Sequence, residues 1–135
     1  MQILYLLDTN TVSYHVAHNP PQVRAKLETV GLPVTAVSTI TEAELRYGLA
    51  RNPSAIRRRT AVESFLSDAL ILPWDSAAAS AYGQLRANQE RKGRPLSVED
   101  LMIAAHALAL GLTLVTHDQV FSFVDGLKTE DWTVA

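Results

Sequence analysis

The sequence predicts a three-layer α/β/α sandwich built around a small parallel sheet. Short apolar runs alternate with longer stretches whose apolar residues recur at three- and four-residue spacing. The first run, "ILYLL" at 3–7, has no polar face, as suits a central strand covered on both sides. Pro and Gly fall at most of the breaks, at Pro20, Pro21, Gly31, Pro53, Gly93, Pro95 and Gly111.

In chain order the strands are "ILYLL", "PVTAV" at 33–37, "LILP" at 70–73 and "LTLVT" at 112–116, each short and β-branched or Leu-rich. A helix starts after Asp8. Further helices are expected over "PPQVRAKLETV" (20–30), "ITEAELRYGLA" (40–50), "PSAIRRRTAVESFLSDA" (53–69), "SAAASAYGQLRANQERK" (76–92) and "SVEDLMIAAHALAL" (97–110). Gly111 follows the last of these as a left-handed cap. The tail "LKTEDWTV" is a weaker candidate for an edge strand, because of its charges. The 135 residues read as a single domain over 1–135, long enough to fold on a core alone.

Bulk properties exclude several classes. The chain has no cysteine, which removes disulfides, thiolate metal sites and cysteine nucleophiles. No basic residue precedes the first apolar run and Asp8 interrupts it, so it is not a secretory signal, and no run approaches a membrane span. A cytoplasmic protein with no membrane partner is expected. The net charge of −2 argues against a basic nucleic-acid coat. Yet if four of the fourteen acids sit at one site, the rest of the molecule has twelve bases against ten acids. A phosphate-bearing substrate remains compatible.

The placement of the acids carries the functional reading. In a right-handed α/β sheet, strand C-termini and helix N-termini share one edge, where such folds bind ligands. Asp8 ends the first strand, and Asp118 follows the strand "LTLVT" after one residue. Glu44 and Asp100 lie in the first turns of their helices. Each has an ordinary alternative. Asp8 can cap a helix, although Thr9 and Asn10 offer caps of their own; "SVED" reads as a capping box from Ser97; Asp118 can be a turn residue. Glu42 faces Arg46 at the favourable spacing for an ion pair, whereas Glu44 has Ile40, Tyr47 and Gly48 at its neighbouring positions. Two bare carboxylates about 4 Å apart repel by roughly 4 kcal/mol at an effective dielectric near 20. Four together require a cation or raised pKa values. An all-oxygen set suits Mg2+ or Mn2+, which in acidic clefts orient water and offset charge on a phosphoryl group.

The motifs "LLDTN", "AELRYG", "DLMIAAHA" after "GRP", and "LVTHD" before "GLKTEDW" resemble, in order and spacing over essentially the whole chain, the PIN-domain proteins of the VapC toxin family. The resemblance implies a metal-dependent endoribonuclease, the toxin of a toxin–antitoxin module. It implies that Asp8, Glu44, Asp100 and Asp118 hold Mg2+ or Mn2+, with Asn10 and Thr116 lining the same pocket. It further implies a small VapB-like antitoxin as partner, RNA as substrate, assembly as a homodimer and as a hetero-oligomer with the antitoxin, and operator DNA bound only through the antitoxin. After Asp118 the chain reads Gln119-Val120-Phe121, where relatives often continue basic–acidic–Phe, and many relatives carry Asn in place of Asp118.

Rival readings keep the acidic edge and change its use. A haloacid-type phosphatase carries a second acid two residues after the first, where this chain has Asn10, and a receiver domain needs a late Lys that Thr116-His117-Asp118 does not supply. A non-catalytic peptide-binding module is the other. Arg57, Arg58 and Arg59 fan around a helix and read as a solvated face, whereas Arg86, Arg91, Lys92 and Arg94 are better placed to steer phosphate. His15 and His18 lack a third ligand for zinc, and His106 reads as a helix-face residue. His117 is expected to point away from the site. Tyr47, Trp74, Tyr82 and Trp132 read as packing residues.

Overall fold

A computed structural model describes residues 2–134. Its sheet is parallel throughout. Strand β1 (Tyr5–Leu7) lies at the centre, with β2 (Thr35–Ser38) and then β3 (Ile71–Leu72) on one side, and β4 (Thr113–Val115) and then β5 (Thr129–Glu130) on the other. Leu6 pairs in register with Ala36 and Leu114, and Leu7 with Val115. The helices are α1 (Thr9–Ala17), α2 (Pro21–Val30), α3 (Thr39–Arg51), α4 (Ile56–Asp68), α5 (Ser76–Arg91) and α6 (Val98–Leu110).

Alternation along the strands divides the core in two. Leu6, Ala36 and Leu114 face a layer supplied by Leu85 of α5 and Leu101, Ile103 and Ala104 of α6. Their successors Leu7, Val37 and Val115 face Val12, Val23, Leu27, Leu45 and Val62 from α1 to α4. Leu6 and Leu7 are both almost wholly buried, so each contributes about 1.5–3 kcal/mol of apolar burial, and neither strand face can carry a charge before Asp8. The three-layer α/β arrangement follows.

The elements differ from the sequence pattern mainly at their ends. The second apolar run opens with a 3-10 turn, Leu32–Val34, because Pro33 has no N–H for a strand ladder; the strand itself starts at Thr35. The run at 70–73 shortens to Ile71–Leu72 before Pro73. The tail strand forms at Thr129–Glu130 on the sheet edge, where half-buried Glu130 accepts from the Trp132 indole N–H at 2.9 Å. Gly111 adopts the left-handed conformation at φ 67 and its N–H returns to the carbonyls of Ala107 and Leu108, ending α6. No helix among the described residues is long and apolar enough to cross a membrane.

Candidate functional site

The order of the sheet reverses direction between β1 and β4, and the ends of these two strands frame the site. Asp8 leaves β1 with its backbone N–H still bound to the Val115 carbonyl at 3.1 Å, and Thr11 Oγ1 donates to the same carbonyl at 3.0 Å. These bonds fix the start of α1 against the end of β4. Asp8 itself caps α1, its Oδ1 accepting from the Thr11 N–H at 2.8 Å. Of the three capable residues Asp8 is the cap, because Thr9 and Asn10 lie inside the first turn, where their own N–H groups are the ones that need partners. One oxygen of Asp8 is thus used structurally, and only 5% of the residue is exposed.

Asp118 and Asp100 reach the same edge in similar ways. The Asp118 N–H donates to Thr116 Oγ1 at 3.0 Å, and Asp118 Oδ1 accepts from the Val120 N–H at 3.0 Å, starting the 3-10 turn Gln119–Phe123. Ser97 caps α6 by accepting from the Asp100 N–H at 3.2 Å. That cap employs the backbone of Asp100 and orients its carboxylate from the first turn of the helix. Glu44, on α3, accepts a 2.6 Å hydrogen bond from Thr9 Oγ1 at its Oε1, and Thr9 Oγ1 also lies 3.3 Å from Thr41 Oγ1. Thr41 is fully buried, so the Thr41–Thr9 pair is a rigid support for Glu44.

The electrostatics tie the four acids into one set. Burial lifts the Asp8 carboxyl above its ordinary range; the neighbouring Thr116 and Thr11 hydroxyls and the Thr11 N–H oppose this, and the charge of Asp118 adds to it. Burial is also the chief cause lifting Asp100; the Ser97 hydroxyl opposes it, and the charges of Asp118, Asp8 and Glu44 all raise it further. One carboxylate therefore senses the other three. Among the described residues, no ion pair joins any of the four to a Lys, Arg or His. Nor do any three acids or histidines, as they stand, come together closely enough to hold an ion directly. The donor set of carboxylate and hydroxyl oxygens still fits a hard divalent ion that keeps several waters and takes one or two direct carboxylates. A cation there would relieve the cost that raises Asp8 and Asp100.

Asn10 is exposed on α1 and shares a cleft of about 380 Å3 with Tyr14, His117, Asp118 and Gln119. A larger cleft of about 790 Å3 runs along α5 and α6 and is lined by none of the four acids. Volume is a poor guide here. Of the four acids, Asp118 alone lines the smaller one.

Comparison with known proteins shows the family and the fold. The PIN domain model matches residues 5–127. The chain belongs to the PIN-domain family. Within that family this PIN domain is 37% identical over 130 residues to the tRNA(fMet)-specific endonuclease VapC of Shigella flexneri, covering 96% of this chain and 98% of the relative. It is similar in structure to the toxin–antitoxin proteins VapBC of Salmonella typhimurium bound to DNA, at TM-score 0.89 and 35% identity over 96% of this chain and 98% of that one. It is similar also to VapBC2 of Rickettsia felis bound to a promoter DNA fragment, at TM-score 0.87 and 31% identity over 98% and 99%. Such identities over whole chains make this a VapC-type PIN domain.

Other expectations meet mixed outcomes in this PIN domain. Glu42 pairs with Arg46 at 3.0 Å, as its spacing predicts, and Arg46 also reaches Glu63. Arg58 donates to Ser13 Oγ and Arg59 to the Leu49 carbonyl, so the basic run is partly engaged rather than wholly solvated. Arg86 is paired with Glu90, Lys92 with Asp125, and Arg94 lies over the Phe123 ring, which leaves Arg91 as the freest of that group. His18 takes the αL position that ends α1 and bonds Arg24, and so leaves the helical register that would place it beside His15. His106 is 2% exposed, its Nδ1 2.9 Å from Ser38 Oγ, joining α6 to the cap of α3. His117 bonds Asp131 at 2.9 Å and lines the cleft together with Asp118, so the expectation that it points away is corrected. Trp132 packs in the core, and Trp74 packs against Tyr82 while donating to the Met102 carbonyl, but Tyr47 is 65% exposed beside Arg51 and is not a packing residue. Thr9, Thr41 and Asp131 carry no local sequence signal. Only the fold brings them to their partners.

Proposed function

We propose that this PIN domain, acting as one domain over 1–135, is a metal-dependent endoribonuclease and the toxin of a toxin–antitoxin pair. The observation that carries the reading is that Asp100 lies in the field of Asp118, Asp8 and Glu44, four acids from separate segments that form no ion pair with a Lys, Arg or His among the described residues. The ribonuclease activity named for the VapC relatives supports RNA as the substrate. Asp8, Glu44, Asp100 and Asp118 would hold Mg2+ or Mn2+, and Asn10 and Thr116 would line the pocket. When bound, such an ion activates water and offsets the charge growing on the phosphoryl oxygens.

The residues of the chain supply position. Asp8 Oδ1 is bound to the Thr11 N–H and the Thr116 hydroxyl also reaches the carboxyl, so α1 and the end of β4 fix its orientation. Thr9 holds Glu44 Oε1 in one orientation. Asp100 is presented from the first turn of α6, where its N–H is held by the Ser97 hydroxyl. Attack in line with the 3′ oxygen breaks the P–O3′ bond and leaves 5′-phosphate and 3′-hydroxyl ends. A VapB-like antitoxin is the expected inhibitor, with a toxin homodimer in the assembly, operator DNA contacted through the antitoxin, and the cytoplasm as the compartment. The VapBC complexes of similar structure support that assembly.

The test is cleavage of structured RNA by the purified chain with Mg2+ or Mn2+, beside Asp8→Asn. Removing a group that only orients a metal ligand costs about 10- to 100-fold. Removing a ligand should cost at least as much. Equal cleavage by both proteins refutes the assignment.

A further inference from the structure

The cleft beside Asp118 has a lining unlike the rest of the acidic edge. Tyr14 and His117 contribute ring surfaces, Asn10 and Gln119 contribute carboxamides, and Asp118 joins the cleft to the acids. None of these five is a Lys or Arg, so the cleft is a poor seat for a phosphate. Its volume of about 380 Å3 suits a single nucleoside-sized group.

The His117 ring is held in place. Its Nδ1 lies 2.9 Å from Asp131 Oδ2 and 3.1 Å from Thr133 Oγ1. Thr133 in turn donates to Asp131 Oδ1 through both its hydroxyl, at 2.6 Å, and its N–H, at 2.9 Å. A carboxylate only accepts, so Nδ1 carries the hydrogen and Nε2 is left for another partner. Asp131 and Thr133 thus fix an exposed ring that nothing in the core requires. Gln119 spends one N–H on the His117 carbonyl at 3.5 Å, leaving its other N–H and its carbonyl oxygen for a ligand. Fixed rings with adjacent carboxamides are the chemistry that reads an unstacked base, by stacking on its face and hydrogen bonding to its edge.

We propose that this cleft takes the base of the single-stranded RNA nucleotide next to the scissile phosphate, with His117 stacking on it and Gln119 and Asn10 reading its edge. The position of that phosphate rests on the nuclease reading above; the recognition of a base does not. His117 and Gln119 are then specificity residues, and Asp131 is a positioning residue for the ring.

The experiment scans a short single-stranded RNA with abasic riboses, one position at a time, and measures binding by fluorescence anisotropy. It uses the Asp100→Asn protein, alone and with His117→Ala or Gln119→Ala, and both added substitutions are at exposed side chains. With the cleft intact, one abasic position should weaken binding about 10-fold or more, the scale of one lost stacking contact. His117→Ala should erase that single-position loss, and Gln119→Ala should reduce it. A flat scan, or the same position standing out in His117→Ala, overturns the proposal. Mg2+-dependent cleavage by the unsubstituted chain is measured in parallel. A flat scan with cleavage intact removes the base site and leaves the nuclease. A positional signature without cleavage removes the nuclease and leaves an RNA-base site.

Discussion

Glu42 and Glu44 stand two residues apart on α3 and live in different electrostatic worlds. Glu42 meets Arg46, which also meets Glu63, in an exposed arrangement where every charge has an opposite. Glu44 points to the sheet edge, where a threonine hydroxyl holds it and the charges of Asp8, Asp100 and Asp118 converge. The same contrast separates Glu90, Asp125 and Glu28, each with a basic partner, from the acids at the strand ends. Lack of a basic partner is not enough to define the set, since Asp68, Asp75, Glu99 and Glu130 also have no ion pair among the described residues. What sets the four apart is that Asp118, Asp8 and Glu44 all act on Asp100. Asp118 is exposed and Asp8 is buried, yet both belong to the set without a cation.

The largest expected effect would break the contrast at its sharpest point. Asp100→Asn should lower Mg2+- or Mn2+-dependent RNA cleavage by at least about 100-fold, measured as initial rates, whereas Glu42→Gln should leave the rate unchanged. A comparable loss in both would erase the distinction between the two sets. A smaller effect is expected at Thr9. Thr9→Val removes the hydroxyl that orients Glu44 and should reduce activity about 10-fold, with the apparent metal affinity falling alongside, and Thr9→Ser should restore both. Failure of the serine to rescue would assign Thr9 to packing.

Stability offers a finer separation of the two jobs of Asp8. Asn caps a helix about as well as Asp, while Ala leaves the Thr11 N–H without its partner. In denaturant melts without metal, Asp8→Ala should therefore fall below Asp8→Asn by about 1 kcal/mol. The smallest effect is on pH dependence. Asp8 and Asp100 are raised above their ordinary value of 3.8, so their contribution favours the fold below that pH and is lost as pH rises through the raised values. Without metal, Asp8→Asn should be the more stable protein at neutral pH, and its advantage over the unsubstituted chain should shrink to nothing as the pH falls below 4. An advantage that grows on acidification would contradict the sign.

Much of this was legible in the residues. The unbroken "ILYLL" run, the β-branched strands and the Pro and Gly breaks are local signals, and they locate the sheet, the helices and the edge to which Asp8, Glu44, Asp100 and Asp118 come. The pairing of Glu42 with Arg46 and the Ser97 cap are likewise local, set by spacing along one helix. What the sequence hides is contact between distant segments. Thr9 reaches Glu44 across 35 positions, His106 reaches Ser38 across 68, and His117 reaches Asp131 across 14. No period or motif encodes such contacts, because they arise only once the layers pack. The cap on α1 was open for a different reason: Asp8, Thr9 and Asn10 are all capable, and the backbone turn at the end of β1 selects Asp8.

Mn2+ titration followed by calorimetry, on the unsubstituted chain and on Asp8→Asn and Asp100→Asn, tests most directly whether remote carboxylates form one cation pocket. Saturable binding by the first and a loss of about 10-fold or more in affinity for each variant is the outcome expected. Absence of binding by the unsubstituted chain, or equal affinity in all three proteins, contradicts it.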